Sequence, residues 1–153
     1  KGSFYHYFRS KEEFGQALLE EYFQEYIGRV DIVMAAQGTG AERLIGYLSY
    51  WAKTQAFDHP EEKCLVVKLG AEVCDLSEDM RSVLEEGTTL IIQRITRCIE
   101  QGMADGSITS TQNAETLAES LYQLWLGASL LVKVRNTTAA FETALNTSKR
   151  LLA

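Results

Sequence analysis

The stretch Lys1-Gly2-Ser3-Phe4-Tyr5-His6-Tyr7-Phe8-Arg9-Ser10-Lys11 carries three basic residues and no acid, in a chain of formal net charge −6. Wound as a helix, it sets Phe4 and Phe8 one turn apart on one face. Gly2, Ser3 and His6 then fall roughly opposite, with Tyr5 and Tyr7 on the flanks. An apolar back can anchor the helix to a small core. A front of small and hydrogen-bonding groups, with cations beside it, suits a polyanion. A DNA-reading helix divides its faces in this way. Directly afterwards, Ser10 followed by Glu12 and Glu13 reads as an N-cap with acids in the first turn. Phe14, Ala17, Leu18 and Tyr22 trace one stripe of a long helix that the pattern carries to about Ala36.

Helical periodicity continues outward from this start. Gln37-Gly38-Thr39-Gly40 is a turn. Leu44, Tyr47, Leu48, Trp51 and Ala52 mark a second helix, ended by Asp58-His59 and the single proline, Pro60. Lys63 to Asp75 is apolar enough for a buried strand, but no partner strand is legible elsewhere, so a short buried helix is expected. Ser77-Glu78-Asp79 opens a helix through Met80, Val83, Leu84, Leu90, Ile91, Ile95 and Ile99 to Gly102. Asp105-Gly106-Ser107 is a turn. Residues 113–134 form a long apolar helix, and Thr137-Thr138 introduces a last one with Phe141, Leu145, Leu151 and Leu152. The predicted class is all-α, with six helices after the opening segment.

Composition narrows the function classes. A chain of 153 residues, 46% hydrophobic and 24% charged, suits one globular domain with a full core. No run of eighteen apolar residues is present, so no membrane span is expected. The acidic balance argues against general nucleic-acid binding by the body. An odd number of cysteines, with no secretory signal visible, points to free thiols in a reducing cytoplasm. Cys64, Cys74 and Cys98 match no zinc pattern, and His6 and His59 complete none, so no metal or cofactor is expected. Paired carboxylates, a Ser/His/Asp grouping and a phosphate loop are all missing from the sequence. The rival to a DNA-binding regulator is a small all-α thiol enzyme or ligand carrier, using Cys64 with His59 as its base.

Lys1 to Phe8, followed by Ser10-Lys11-Glu12-Glu13-Phe14, resembles the end of the helix-turn-helix in TetR-family transcriptional regulators. The resemblance implies a division into 1–11, the recognition-helix remnant of a DNA-binding head, and 12–153, a TetR-like helical body for effector binding and dimerisation. It places Lys1, Gly2, Ser3, Tyr5, His6 and Tyr7 at the DNA, with Lys11 on a phosphate. Two further helices of such a head would precede Lys1, so binding of a palindromic operator is expected of a longer parent, not of the chain as it stands.

Two more segments, Cys64 to Arg81 and Leu124 to Lys133, resemble the TetR subgroup that includes the repressor of N-ethylmaleimide reductase. Members of that subgroup sense electrophiles or oxidants through a cysteine. The resemblance puts that cysteine at Cys64, with Lys133 as a second cation. The residues themselves allow the role: Cys64 falls near a helix start, with Lys63 adjacent and Lys68 one turn on, which favours a thiolate. A non-covalent effector in an apolar pocket lined by Tyr47, Trp51, Tyr122 and Trp125 is the alternative. A reader of two-fold operators must dimerise. Leu124, Trp125, Ala128 and Leu131, with Phe141 and Leu145 on the last helix, are the expected homodimer interface. The expected protein is therefore a cytoplasmic repressor released from DNA by a small reactive effector.

Overall fold

A computed structural model describes residues 11–56 and 64–153. The described residues form six α-helices and no strand. They are α1 (Lys11–Met34), α2 (Gly40–Ala56), α3 (Leu65–Leu76), α4 (Glu78–Asp105), α5 (Ala114–Arg135) and α6 (Ala139–Leu152). The DNA-facing expectations for Lys1 to Tyr7, and the cap at Ser10, lie outside the described residues, as do His59, Pro60 and Lys63.

Local chemistry sets the boundaries. Ser77 ends one helix and starts the next. Its N–H donates to the Val73 carbonyl at 3.1 Å, and its Oγ accepts from the Met80 N–H at 3.2 Å. Gly106 closes α4 with φ +82°, and Asn136 closes α5 with φ +54°, left-handed positions that glycine and asparagine tolerate best. Asn113 caps α5 by accepting from the Thr116 N–H at 3.1 Å. α2 is capped from a distance: the Gly40 N–H donates to Asp105 Oδ2 at 2.8 Å and the Ala41 N–H to Ser107 Oγ at 3.0 Å. Two of the orphan amides at that helix start are thus satisfied by the turn after α4.

The 28-residue α4 is the axis of the body and packs against α1, α2, α3 and α5. Glycines on α4 and on the start of α2 permit close approach. A Cβ on Gly87 would lie 2.3 Å from the Phe23 ring of α1, and one on Gly40 would lie 2.2 Å from the Gly102 backbone. Leu44, Tyr47, Leu48, Ile95, Leu117 and Trp125 form the fully enclosed centre. Arg94 of α4 pairs with Asp31 of α1 at 2.7 Å, a second tie between those helices.

Three expectations are corrected. On α1 the buried stripe is Leu19, Phe23, Tyr26 and Val30, whereas Leu18 is 49% exposed. The apolar α3 is half-covered and not buried: Val73 is its one buried residue, and Leu76 is largely exposed. Trp125, Ala128 and Phe141 do not face outward for a partner. They are buried within the protomer, where Trp125 stacks on Phe141 at 5.7 Å and donates from Nε1 to Ser148 Oγ at 2.9 Å. Of the expected interface, Leu131 is exposed, while Leu124 and Leu145 are half-buried. Leu130 and Val134 join Leu131 on an open apolar patch of α5.

Candidate functional site

Cys64 stands just before α3, in extended backbone, at the point where three helices meet. Its N–H donates to Gln55 Oε1 of α2 at 3.1 Å. The next amide, Leu65 N–H, donates to the Tyr22 hydroxyl of α1 at 3.3 Å. The first turn of α3 is therefore held by side chains from both preceding helices, which satisfy amides that a helix start leaves unpaired.

The electrostatics of the thiol differ from the expectation. The Val66 and Val67 amides and the Tyr22 hydroxyl favour a thiolate, but burial outweighs them and pushes the Cys64 thiol above its ordinary value. Neither Lys68 nor Lys133 is among the groups acting on it; both side chains are exposed. Cys64 is thus a buried, neutral thiol. Cys74, by contrast, is exposed, and Cys98 is buried and donates to the Gly40 carbonyl at 3.3 Å. The three are free thiols.

The aromatics expected to line a pocket do converge, but as packed core. Trp51 lies edge-on to Tyr47 at 6.1 Å and to Tyr122 at 5.7 Å, and its ring is 5.9 Å from Trp125. Trp51 Nε1 donates to Ser129 Oγ at 2.7 Å. The Tyr26 and Tyr47 hydroxyls bond to each other at 2.8 Å, and Tyr22 stacks on Tyr26 at 5.9 Å. Contacts through Trp51 join four phenols, Tyr22, Tyr26, Tyr47 and Tyr122, in one cluster. Burial holds each of them protonated far above the usual range, so they act only as hydroxyls near neutral pH. The Tyr122 hydroxyl finds no hydrogen-bond partner among the described residues.

Tyr22, Tyr26 and Gln55 were not among the sequence-expected site residues. The one available signal was Tyr22 and Tyr26 a turn apart on α1. No group of three or more metal-ligating side chains occurs among the described residues. No described helix is long and apolar enough to cross a membrane.

Comparison with known proteins agrees with this architecture. Residues 40–148 match the family model of the tetracyclin repressor-like C-terminal domain. The chain is 38% identical to the HTH-type transcriptional repressor NemR of Escherichia coli K12, over 100% of the chain and 77% of that protein. It is 31% identical to the transcriptional regulator AcuR of Cereibacter sphaeroides, over 88% of the chain and 62% of that protein. The crystal structure of reduced E. coli NemR superposes with a TM-score of 0.92 at 38% identity, covering 100% of this chain and 80% of that one. With a matching domain model over most of its length and a relative this similar over all of it, the chain belongs to the TetR family of transcriptional regulators.

Proposed function

We propose that this chain is the regulatory body of a dimeric transcriptional repressor, released from operator DNA when a small electrophile or oxidant modifies Cys64. The observation that carries the reading is the junction at Cys64. The thiol, the first amides of α3 and the Tyr22 hydroxyl of α1 form one hydrogen-bonded unit. α1 is the helix that follows the DNA-facing segment. Bulk added at Cys64 has to be accommodated in a close-packed place, at a cost on the order of 1–3 kcal/mol. Parting α3 from Tyr22 relieves that strain and moves α1. In a dimer such a shift alters the separation of two recognition helices, which has to match one DNA turn, about 34–36 Å.

The relative named above is described as a transcriptional repressor, which supports the same output here. The exposed Leu130, Leu131 and Val134 support a dimer through α5. We place the protein in the cytoplasm, where its free thiols stay reduced. A covalent sensor reacts once per site, whereas the rival thiol enzyme would turn its electrophile over.

The test uses a protein in which this chain follows a complete helix-turn-helix head, with Cys74→Ser removing the exposed thiol. Operator binding is followed by mobility shift before and after a mild electrophile. The expected result is release by the Cys64 protein and no release by Cys64→Ser, which still binds because the side chains are nearly the same size. Release of the Cys64→Ser protein contradicts the reading.

A further inference from the structure

A groove of about 170 Å³ opens where the end of α1, the first turn of α2 and the second half of α4 meet. Three of the chain's eight arginines line it, although the chain as a whole carries net charge −6. Arg94, Arg97 and Gln101 recur on one face of α4. Arg43 stands beside them on α2, whose start is held against α4 where Cys98 Sγ donates to the Gly40 carbonyl at 3.3 Å. One acid shares the groove, Asp31, and Arg94 already holds it at 2.7 Å. Arg43 donates from Nε to the Thr39 carbonyl at 3.4 Å, which leaves its two terminal amino groups unpaired among the described residues. Arg97 makes no ion pair among them: Glu100, Glu115 and Glu119 line the next groove, and none pairs with it. Asp105, at the start of α2, gives its two oxygens to the Gly40 and Ser107 amides. Asp58, Glu61 and Glu62 follow Ala56, about 20 Å along α2 from Arg43.

We propose that this groove is an anion site for a phosphate group, bound between Arg43 of α2 and Arg97 of α4 with Arg94 and Gln101 beside it. The charge follows from the lining. Like charges gathered in one groove repel, and three arginines against one aspartate leave two positive charges for a dianion to neutralise. The shape follows from the arrangement of the donors. Arginine forks that come from two helices approach the ligand from different sides. The tetrahedral oxygens of a phosphate can accept from each of them, whereas a carboxylate offers two oxygens in one plane. The small volume suits one such group. The site is separate from Cys64 and stands whether or not that thiol is the sensor. Its place in the fold gives it a consequence. A phosphate held by Arg43 and Arg97 adds a bridge between α2 and α4, and one that draws on the Arg94 fork competes with Asp31 of α1. Binding to the folded chain alone raises its stability by mass action.

The experiment titrates the chain with inorganic phosphate, and separately with glycerol 3-phosphate, by calorimetry. Sodium chloride holds the ionic strength fixed, so that general screening stays constant. The thermal midpoint is read on the same samples. Saturable binding of one phosphate per chain, with a rise in the midpoint, is expected. Tighter binding of either probe supports the site: inorganic phosphate if the group arrives free, glycerol 3-phosphate if it arrives on an organic molecule. Arg43→Gln and Arg97→Gln should each weaken binding roughly tenfold, the effect of one charged hydrogen-bonding partner lost. Arg150→Gln, an exposed arginine on α6 outside the groove, should bind as the unaltered chain does. Asp31→Asn removes the competing acid, frees the Arg94 fork and should tighten binding severalfold. No saturable binding of either probe overturns the inference. So does an Arg97→Gln chain that binds as before, or an Arg150→Gln chain that loses as much as Arg97→Gln. If the arginine variants do not fold, Asp31→Asn decides: unchanged or weaker binding overturns the site, and tighter binding supports it.

Discussion

At Gly87 and Gly28 the same substitution should have opposite effects. A methyl at Gly87 meets the Phe23 ring at 2.3 Å, inside the α1–α4 contact. Gly87→Ala should lower stability by about 1–3 kcal/mol, as overpacked cores do. At Gly28, also helical, nothing lies within 4 Å of the added methyl. Gly28→Ala should raise stability by up to about 1 kcal/mol through helix propensity. Urea titration of the two variants checks both signs. Asp105 offers a pH test. Donors from Ser107 and Gly40 hold its carboxyl below the usual range. A depressed folded pKa means that its contribution is present above the unfolded pKa and fades as pH falls through the folded one. Asp105→Asn should therefore remove part of the loss of stability on acidification. An unchanged stability–pH curve for the variant would contradict this. The sequence marks Asp105-Gly106-Ser107 as a turn, but not as the cap of α2. The capped amides are 65 and 66 residues away, and only folding brings them together.

The helices themselves were legible because periodicity and caps are local. Ser77 before Glu78 and Asp79, and Asn113 before Glu115, stand where the structure starts α4 and α5. Ser77→Ala should cost about 1 kcal/mol, read as a lower denaturation midpoint, because the Met80 amide loses its acceptor. The rotation of a helix about its axis was less legible. On α1, Phe14, Ala17, Leu18 and Tyr22 fit a helical stripe nearly as well as Leu19, Phe23, Tyr26 and Val30. Close contact with Gly87 settles which face turns inward. α3 shows the same limit. Its composition reads as interior, yet it lies on the surface of α4 with one face open, and nothing in its own residues says how much its neighbours cover.

For the whole molecule, the separation of core from partner surface depends on tertiary packing that sequence cannot show. Trp125 and Phe141 looked like bulky anchors for a second subunit; they are enclosed, and Trp125→Glu should unfold the chain by burying an unpaired charge. Leu131→Glu, with Leu130 and Val134 beside it, should instead leave the helical signal intact and turn the dimer into monomer in sedimentation. A variant that remains dimeric would exclude this patch of α5 as the interface. The candidate site was legible only in part. The aromatics Tyr47, Trp51, Tyr122 and Trp125, expected as a pocket, do meet in one cluster, and Cys64 is tied to α1 and α2 through Tyr22 and Gln55. The lowered thiol pKa expected from nearby lysines was not borne out, because burial depends on α1 and α2 closing over the helix start.

The central claim is that chemistry at Cys64 reaches the DNA head through its junction with Tyr22. It is tested most directly by measuring operator affinity against the fraction of Cys64 modified, with occupancy read by mass spectrometry on the same samples. The protein is the headed Cys74→Ser form. The account predicts that affinity falls in step with occupancy and drops at least about tenfold at full modification, the equivalent of roughly 1.4 kcal/mol. Full modification of Cys64 with operator affinity unchanged would contradict it.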